Sequence, residues 1–99
     1  MEQEKRLLLL VTYHVRPGQR TAFLQRLNDA GIPAAVRRED GCRRYDYFLD
    51  TQDPDAILLV EDWDTTAHQQ AHVQTPHMAL FQTFKPDYVL STDAQRILL

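Results

Sequence analysis

The stretch LLLLVTYHV, residues Leu7–Val15, is apolar on both of the faces that a β-strand would present. Side chains alternate across a strand, so Leu7 and Leu9 would point away from Leu8 and Leu10. The stretch ends in β-branched and aromatic residues, which favour the strand conformation. Such a strand must be covered on both sides, and this restricts the chain to folds with a layer on each face of a sheet.

The rest of the chain predicts further strands and helices in alternation. Apolar residues recur at helical or alternating spacing, and Gly and Pro residues mark the boundaries between these segments. After the first strand we expect a helix over Gln19–Ala30, a short helix over Pro33–Glu39, strands over Cys42–Asp50 and Ala56–Trp63, a helix from a cap at Asp64, Thr65 or Thr66 to about Gln74, and a further helix from Pro76. This β-α-β-β-α-β order predicts an α+β, ferredoxin-like fold with an antiparallel sheet and helices on one face.

The C-terminal part of the chain is less regular. Lys85-Pro86-Asp87 is expected to interrupt the last helix, because proline lacks a backbone N–H. The pattern leaves Tyr88–Thr92 open between helix and strand, and Gln95–Leu99 is the candidate for the last strand. The length of 99 residues fits a single domain over residues 1–99.

The predicted strand Ala56–Trp63 is also apolar on both faces. Helices can cover only one face of an open sheet, so the other face needs a partner. A second copy of the chain packed sheet to sheet would bury that face, and the sequence therefore predicts a homodimer.

Charge and cysteine content argue against several classes of protein. The formal net charge is −3, and the basic pairs Arg37-Arg38 and Arg43-Arg44 are separated by Glu39-Asp40. We interpret these charges as solvated surface and expect no nucleic-acid partner. The one cysteine, Cys42, allows no internal disulfide, which favours a cytoplasmic protein. The Met-Glu-Gln-Glu start and the short apolar run indicate neither a signal peptide nor a membrane span.

Three of the four histidines lie in one segment, AHQQAHVQTPHM, residues Ala67–Met78. His68 and His72 are four residues apart and share one side of a helix, and paired histidines on one helical turn can bind zinc. The residues between them are Gln-Gln-Ala, without the glutamate of a zinc-protease motif, and the sequence indicates no third ligand. We therefore expect no metal site.

Three short motifs resemble one known family. They are Gly41-Cys42-Arg43-Arg44-Tyr45, Glu61-Asp62-Trp63 and Ala71-His72-Val73-Gln74-Thr75-Pro76-His77. They resemble a strand start, a strand end and a helix junction of the antibiotic biosynthesis monooxygenase family, and the histidine segment is most similar to the quinol monooxygenase branch. The resemblance covers nearly the whole chain and is weaker over Asp87–Leu99.

This resemblance implies a homodimeric α/β barrel with one pocket per subunit between sheet and helices. It also implies oxidation of a quinol or polyphenol-type aromatic by dioxygen, with no metal, flavin or haem as a cofactor. A haem-degrading branch of the family fits less well, because Gln82 occupies the position of its iron-binding histidine and the first strand has no asparagine. Two alternatives stay open: an isomerase of a small phosphorylated signalling molecule, and a non-catalytic small-molecule-binding dimer.

His77 is the first candidate catalytic residue. If Thr75 is the N-cap and Pro76 the first helical residue, His77 lies in the first turn, where the helix dipole disfavours a charged imidazole. A neutral imidazole can accept the proton of a phenol. The alternative is that His77 only caps the helix junction. His72 is the second catalytic candidate, whereas His68 is expected to be exposed.

Four further residues are candidates for substrate binding. Trp63 could stack on an aromatic substrate, or it could fill the core between the hairpin and the helix. Glu61 shares the face of Trp63 and is expected to form a salt bridge to an arginine, with proton relay as the alternative. Tyr45 belongs to a family motif and could orient a substrate oxygen, and Phe81 would add an apolar wall from the last helix.

Overall fold

The computed structural model describes residues 4–99, so the start of the chain through Gln3 lies outside the described residues. Its helices and strands are, in chain order, β1 (Leu7–Val15), α1 (Arg20–Asp29), α2 (Ile32–Arg37), β2 (Cys42–Leu49), β3 (Ala56–Trp63), α3 (Thr66–His72), α4 (Pro76–Tyr88) and β4 (Val89–Leu98). All neighbouring strands are antiparallel, and they form one four-stranded sheet in the order β2-β3-β1-β4. The predicted ferredoxin-like α+β topology is therefore confirmed.

The core lies between the helices and one face of the sheet. On this face of β1 and β3 the cross-strand neighbours are buried, with Leu7 opposite Trp63 and Val11 opposite Leu59. Phe23 of α1 belongs to the same hydrophobic cluster. Each large apolar side chain of this kind contributes roughly 1.5–3 kcal/mol when it is fully buried. This packing holds the helices against the sheet and fixes the ends of β3 and α3, where the candidate site lies.

The opposite face of the sheet is apolar at its centre, as the sequence predicted. Leu8, Leu10, Leu58 and Val60 lie on this face, and each is only partly buried within one chain. Leu10 and Val60 are direct cross-strand neighbours, so the apolar side chains are continuous from one strand to the next. We call Leu8, Leu10, Leu58 and Val60 the outer patch.

The expected interruption of the last helix at Lys85–Asp87 is wrong, because α4 continues through Pro86 to Tyr88. Proline removes one intrahelical donor, and here only Asp87 and Tyr88 follow it, so the helix ends within one turn of Pro86. Arg16 also supports this turn: its backbone N–H donates to the Tyr88 carbonyl (2.8 Å) and its guanidinium to the Pro86 carbonyl (3.2 Å). Within residues 4–99, no helix is both long and apolar enough to cross a membrane.

β4 begins at the residue that follows α4, with no loop between the two elements. It is therefore longer than the strand expected over Gln95–Leu99. Leu98 pairs with Leu7 and Ser91 pairs with His14, which makes β4 the edge strand beside β1.

An irregularity at the start of β2 changes which residues face the core. Cys42 pairs with Trp63 and Tyr45 pairs with Glu61, and the register shifts between Cys42 and Arg44. Arg43 and Arg44 both lie between these two core-facing positions, so the alternation of a regular strand is broken at the start of β2. Cys42 packs against the core, and burial raises the pKa of its thiol to about 11.

Candidate active site

Glu39 joins two of the predicted site histidines. Its Oε2 atom lies 2.7 Å from Nδ1 of His72 and 2.8 Å from Nε2 of His77. The side-chain exposure rises from 2% for His72 through 13% for Glu39 to 22% for His77. The cluster formed by these three residues, called here the His–Glu cluster, therefore extends from the core to the surface, with His77 at its accessible end.

Three different elements supply the His–Glu cluster. Glu39 follows α2, His72 is the last residue of α3 and His77 is the second residue of α4. The hydroxyl of Thr75 donates to the carbonyl of His72 (2.8 Å) and accepts a backbone N–H of α4 (3.4 Å). The predicted helix junction, with Thr75 as N-cap and Pro76 as first helical residue, is confirmed.

The shared oxygen determines which ring nitrogens carry hydrogen. An ionised carboxylate only accepts hydrogen bonds. Both rings must then donate to Glu39, from Nδ1 of His72 and from Nε2 of His77. In neutral rings this leaves Nε2 of His72 and Nδ1 of His77 as the proton acceptors. The carboxylate thus selects the nitrogen that each histidine can offer to a ligand.

Glu61 and Trp63 lie beside His72 at the end of β3. The indole Nε1–H of Trp63 donates to Oε1 of Glu61 (3.1 Å), and Nε2 of His72 is 3.9 Å from the same oxygen. The rings of Trp63 and His72 lie at a tilt with centroids 4.8 Å apart. Burial raises the pKa of Glu61, and the hydrogen bond from Trp63 partly offsets this rise.

Among the arginine ion pairs within residues 4–99 none involves Glu61, so the expected salt bridge is wrong for the part of the chain that the structure describes. Arg6 pairs with the next residue, Asp62, through bonds of 2.9 and 2.6 Å to its two carboxylate oxygens. Successive residues of a strand point to opposite faces, so Asp62 meets Arg6 away from the core while Glu61 faces the indole and the imidazole. The Arg6 guanidinium lowers the pKa of Asp62.

Tyr45 borders the His–Glu cluster, whereas Phe81 packs elsewhere. The Tyr45 and His72 rings meet edge to face with centroids 5.8 Å apart. Burial raises the pKa of Tyr45 well above its ordinary value, so this phenol stays neutral. Phe81 lies in the core against Tyr13 and Phe23, with ring centroids 6.1 and 6.2 Å away. The fold therefore brings all the sequence-predicted site residues except Phe81 to one place.

His68 lies outside the cluster and stabilises the start of α3. Its backbone N–H donates to Oγ1 of Thr65 (3.2 Å), and its Nδ1 lies 2.7 Å from the same oxygen. The side chain is 31% exposed, so it is half-buried rather than exposed as expected. Its ring packs against Gly41, where a Cβ atom would overlap it and where φ is +82°.

Glu39 was predicted to lie on the solvated surface between two basic pairs, but it is a member of the site. The pairing of Cys42 with Trp63 was the available signal, because it brings the residues before the Gly41 turn close to the end of β3. Glu39, His72 and His77 offer one ligand atom each, all within 4.8 Å of one another. This set of potential ligands differs from the pair His68 and His72 that the helical spacing suggested, because Glu39 joins His72 to His77 and His68 lies outside it.

Two clefts lie at the edges of the sheet. One of about 250 Å³ follows the start of β2 and is lined by Arg37, Cys42, Arg43, Arg44, Tyr45 and Asp46. The other, of about 320 Å³, lies where α4 meets β4 and is lined by Gln82, Lys85, Pro86, Val89, Leu90, Ser91 and Thr92. Neither of these two clefts is lined by His72 or His77, so a ligand of the cluster would approach along the partly exposed edge of His77.

Comparison with known proteins places the chain in a family. Residues 6–83 match the family model described as "Antibiotic biosynthesis monooxygenase". The Escherichia coli K12 protein named "Probable quinol monooxygenase YgiN" is 35% identical, over 76% of this chain and 80% of that protein. The protein of the same name in Shigella flexneri matches to the same extent. The chain belongs to the antibiotic biosynthesis monooxygenase family, as its motifs predicted.

Solved structures share the fold over the whole chain. A Pseudomonas aeruginosa protein has a TM-score of 0.83 at 23% identity, covering 100% of this chain and 98% of that chain. A Shewanella oneidensis protein has a TM-score of 0.84 at 21% identity, covering 97% of this chain and 92% of that chain. At these identities the likeness concerns the fold alone.

Proposed function

We propose that this protein is a cofactor-independent monooxygenase that oxidises a quinol or polyphenol-type aromatic with dioxygen. Membership of the family and similarity to a relative named as a quinol monooxygenase support this activity. The observation that carries the assignment of residues is the single Glu39 oxygen that accepts hydrogen bonds from both His72 and His77. It orients an imidazole base at the border between the core and the solvent, where an aromatic substrate can reach it.

In the proposed reaction His77 removes a phenolic proton from the substrate. Its Nδ1 is the free acceptor, and its side chain is the most exposed of the His–Glu cluster. The resulting quinolate is electron-rich and transfers electrons directly to dioxygen. One oxygen atom then forms a C–O bond with the ring, and the other leaves as water with two hydrogens from the quinol. The product is a hydroxyquinone, and the quinol itself is the reductant.

The neighbouring residues hold His77 in place in this proposal. His72 is buried and shares Glu39 with His77, so we assign it a positioning role rather than contact with the substrate. Trp63 is fully buried, which favours its core-filling role and its hydrogen bond to Glu61 over stacking on a substrate. Tyr45 packs against His72 and limits the movement of that ring.

The isomerase alternative requires an arginine or lysine beside His77 to anchor a phosphate. Instead, the charged partner of His77 is the carboxylate of Glu39, which would repel a phosphate. The non-catalytic alternative predicts a pocket that is filled or lacks convergent polar groups. Glu39, His72, His77 and Glu61 do converge, so the second of these two criteria supports an enzyme.

Oxygen uptake tests the proposed activity. The chelator-treated protein is mixed with a reduced naphthoquinol, and uptake is compared with the spontaneous rate and with heat-inactivated protein. We expect a rate above both controls, and His77→Ala should lower it by on the order of a hundredfold, the usual contribution of a general base. Uptake no greater than the controls would contradict the proposal, and an unchanged rate in His77→Ala would remove His77 from the mechanism.

Isotope labelling separates monooxygenation from simple oxidation. With labelled dioxygen, a monooxygenase gives a hydroxyquinone that carries one labelled oxygen and forms no hydrogen peroxide. An oxidase would give unlabelled quinone and one hydrogen peroxide for each dioxygen consumed. The second result would exclude the proposed reaction while leaving a quinol as the substrate.

We also propose a cytoplasmic homodimer. Leu10 and Val60 of the outer patch are partly exposed in one chain, and a second sheet packed against them would remove this apolar surface from water. The one cysteine, Cys42, is free, which is usual in a reducing compartment. Sedimentation at the monomer mass would contradict the dimer.

A further inference from the structure

We propose that Glu39, His72 and His77 bind a divalent metal ion of the zinc type. These residues offer one carboxylate oxygen and two imidazole nitrogens within 4.8 Å of one another. They come from three separate elements, so the fold and not a local motif creates the site. Metal binding here does not require the proposed oxidation and can be measured without a quinol.

The chemistry of the ligand atoms defines the class of metal. Two histidines and one carboxylate are the protein ligands of some zinc sites that keep a fourth position open. Imidazole nitrogen favours zinc and its first-row neighbours, whereas magnesium and calcium prefer oxygen ligands only. The His–Glu cluster should therefore select zinc, cobalt and nickel over magnesium.

Metal binding requires the ligand atoms to move, because the two imidazole nitrogens, now within 4.8 Å of each other, and the carboxylate oxygen must all reach the spacing set by one ion. A tetrahedral zinc ion with bonds of about 2.0–2.2 Å places its ligand atoms about 3.3–3.5 Å apart. The Glu39 oxygen now lies 2.7 and 2.8 Å from the two nitrogens, so it must withdraw by roughly 0.5–0.8 Å. Glu39 and His77 are partly exposed and can move, while packing against Trp63 holds His72.

A partner is already present for the proton that metal binding displaces. When Nδ1 of His72 binds the ion, its hydrogen moves to Nε2, which lies 3.9 Å from Oε1 of Glu61. A carboxylate behind the far nitrogen is the usual second partner of a metal-bound imidazole. The hydrogen bond from Trp63 holds Glu61 in this position.

The local charge also favours a cation. Glu39 and Glu61 place two carboxylates around His72, 2.7 and 3.9 Å from its two ring nitrogens. The arginine ion pairs found within residues 4–99 go to aspartates, namely Asp46, Asp62 and Asp64. A divalent ion would compensate the two carboxylates in place of an arginine.

Competition with a chromogenic chelator tests the site in untagged, chelator-treated protein without a quinol. We expect one zinc ion per chain, no competing effect of magnesium, and binding weakened by at least about tenfold in His77→Ala. His14→Ala is the matched control, because His14 also contacts a carboxylate, Asp93 at 2.8 Å, but on the other face of the sheet. Absence of stoichiometric binding, or an equal loss in His14→Ala, would overturn the proposal.

The visible spectrum of the cobalt-loaded wild-type protein gives a test that needs no variant. A site with three protein ligands and one water should give the intense absorption of four-coordinate cobalt. The weak absorption of octahedral cobalt in water would overturn the proposal. Glu39→Gln should lower the intensity, and circular dichroism shows whether this variant keeps the fold.

The two proposals fail separately. Zinc would occupy the nitrogens and the oxygen that hold His77 in its proposed catalytic tautomer, so it should inhibit oxygen uptake, and a chelator should restore it. Zinc binding without quinol oxidation would support the metal site and contradict the proposed oxidation. Quinol oxidation without zinc binding would support the proposed oxidation and contradict the metal site.

Discussion

Oε2 of Glu39 lies 2.8 Å from Nε2 of His77, although the two residues are 38 positions apart in the chain. The same oxygen lies 2.7 Å from Nδ1 of His72. One carboxylate therefore connects the end of α2 to the junction of α3 and α4 and orients both imidazole rings. Stability and the proposed activity should both depend on this atom.

Replacing Glu39 by glutamine should weaken both functions of the carboxylate. The amide oxygen still accepts but is neutral, so the two hydrogen bonds lose their charge assistance, and we expect the free energy of unfolding to fall by about 1–3 kcal/mol. The kcat for quinol oxidation should fall by on the order of tenfold or more. Urea unfolding and oxygen uptake measure these effects. Asp40→Asn is the control, since the neighbouring carboxylate is 98% exposed; equal losses in both variants would contradict the role of Glu39.

Gly41→Ala should destabilise the protein more than Gly18→Ala. Both glycines have positive φ, at +82° and +76°, but only a Cβ at Gly41 would overlap the ring of His68. We expect about 1 kcal/mol of backbone strain at each position and a further cost at Gly41. Urea unfolding of the two variants measures the difference. Adding His68→Ala should recover part of the loss at Gly41 and none at Gly18, and equal losses in the two single variants would contradict the contact.

Glu61→Gln should change how stability depends on pH. Burial raises the folded-state pKa of Glu61 above its unfolded value, so the folded protein binds more protons just above about pH 4. The ionisation of Glu61 therefore lowers the free energy of unfolding as the pH rises above about 4. The glutamine side chain does not ionise and keeps an acceptor for Trp63. The stability of the variant should therefore increase relative to that of the wild type between about pH 4 and pH 7. Urea unfolding across this range measures the gain, and Glu4→Gln, at an exposed glutamate, should show none.

Val60→Lys should dissociate the proposed dimer without unfolding the chain. Val60 is partly exposed beside Leu10 at the centre of the outer patch, where a second sheet would have to bury the new charge. Sedimentation should shift from the dimer to the monomer mass, with an unchanged circular dichroism spectrum. Leu80→Lys, at an exposed position on α4, is the control and should leave the mass unchanged. A dimer that survives Val60→Lys would place the interface elsewhere.

The features that were predicted correctly from the sequence are those decided by neighbouring residues. Leu7–Val15 and Ala56–Trp63 form strands over the predicted residues, because their apolar and β-branched side chains favour that state locally. The junction at Thr75 and Pro76 follows from a capping hydroxyl beside a residue that suits the first helical position.

The features that were missed depend on contacts between distant segments. Glu39 sits in a charged run, and only the packing of α2 against β2 and α4 makes it a partner of His72 and His77. Glu61 was expected to pair with an arginine. Because successive residues of a strand face opposite sides of the sheet, Arg6 pairs with Asp62 instead. No local pattern encodes either result.

The chain passes directly from Tyr88 in α4 to Val89 in β4, and the pairing of β4 with β1 already shifts by one residue between Val89 and Ser91. One added residue would turn the end of α4 by about 100° and exchange the two faces of β4. Leu98 would then leave the core, where it is paired with Leu7. Insertions and deletions should consequently be tolerated in the loop between β2 and β3 but not at this junction, where the residue count itself is a structural constraint.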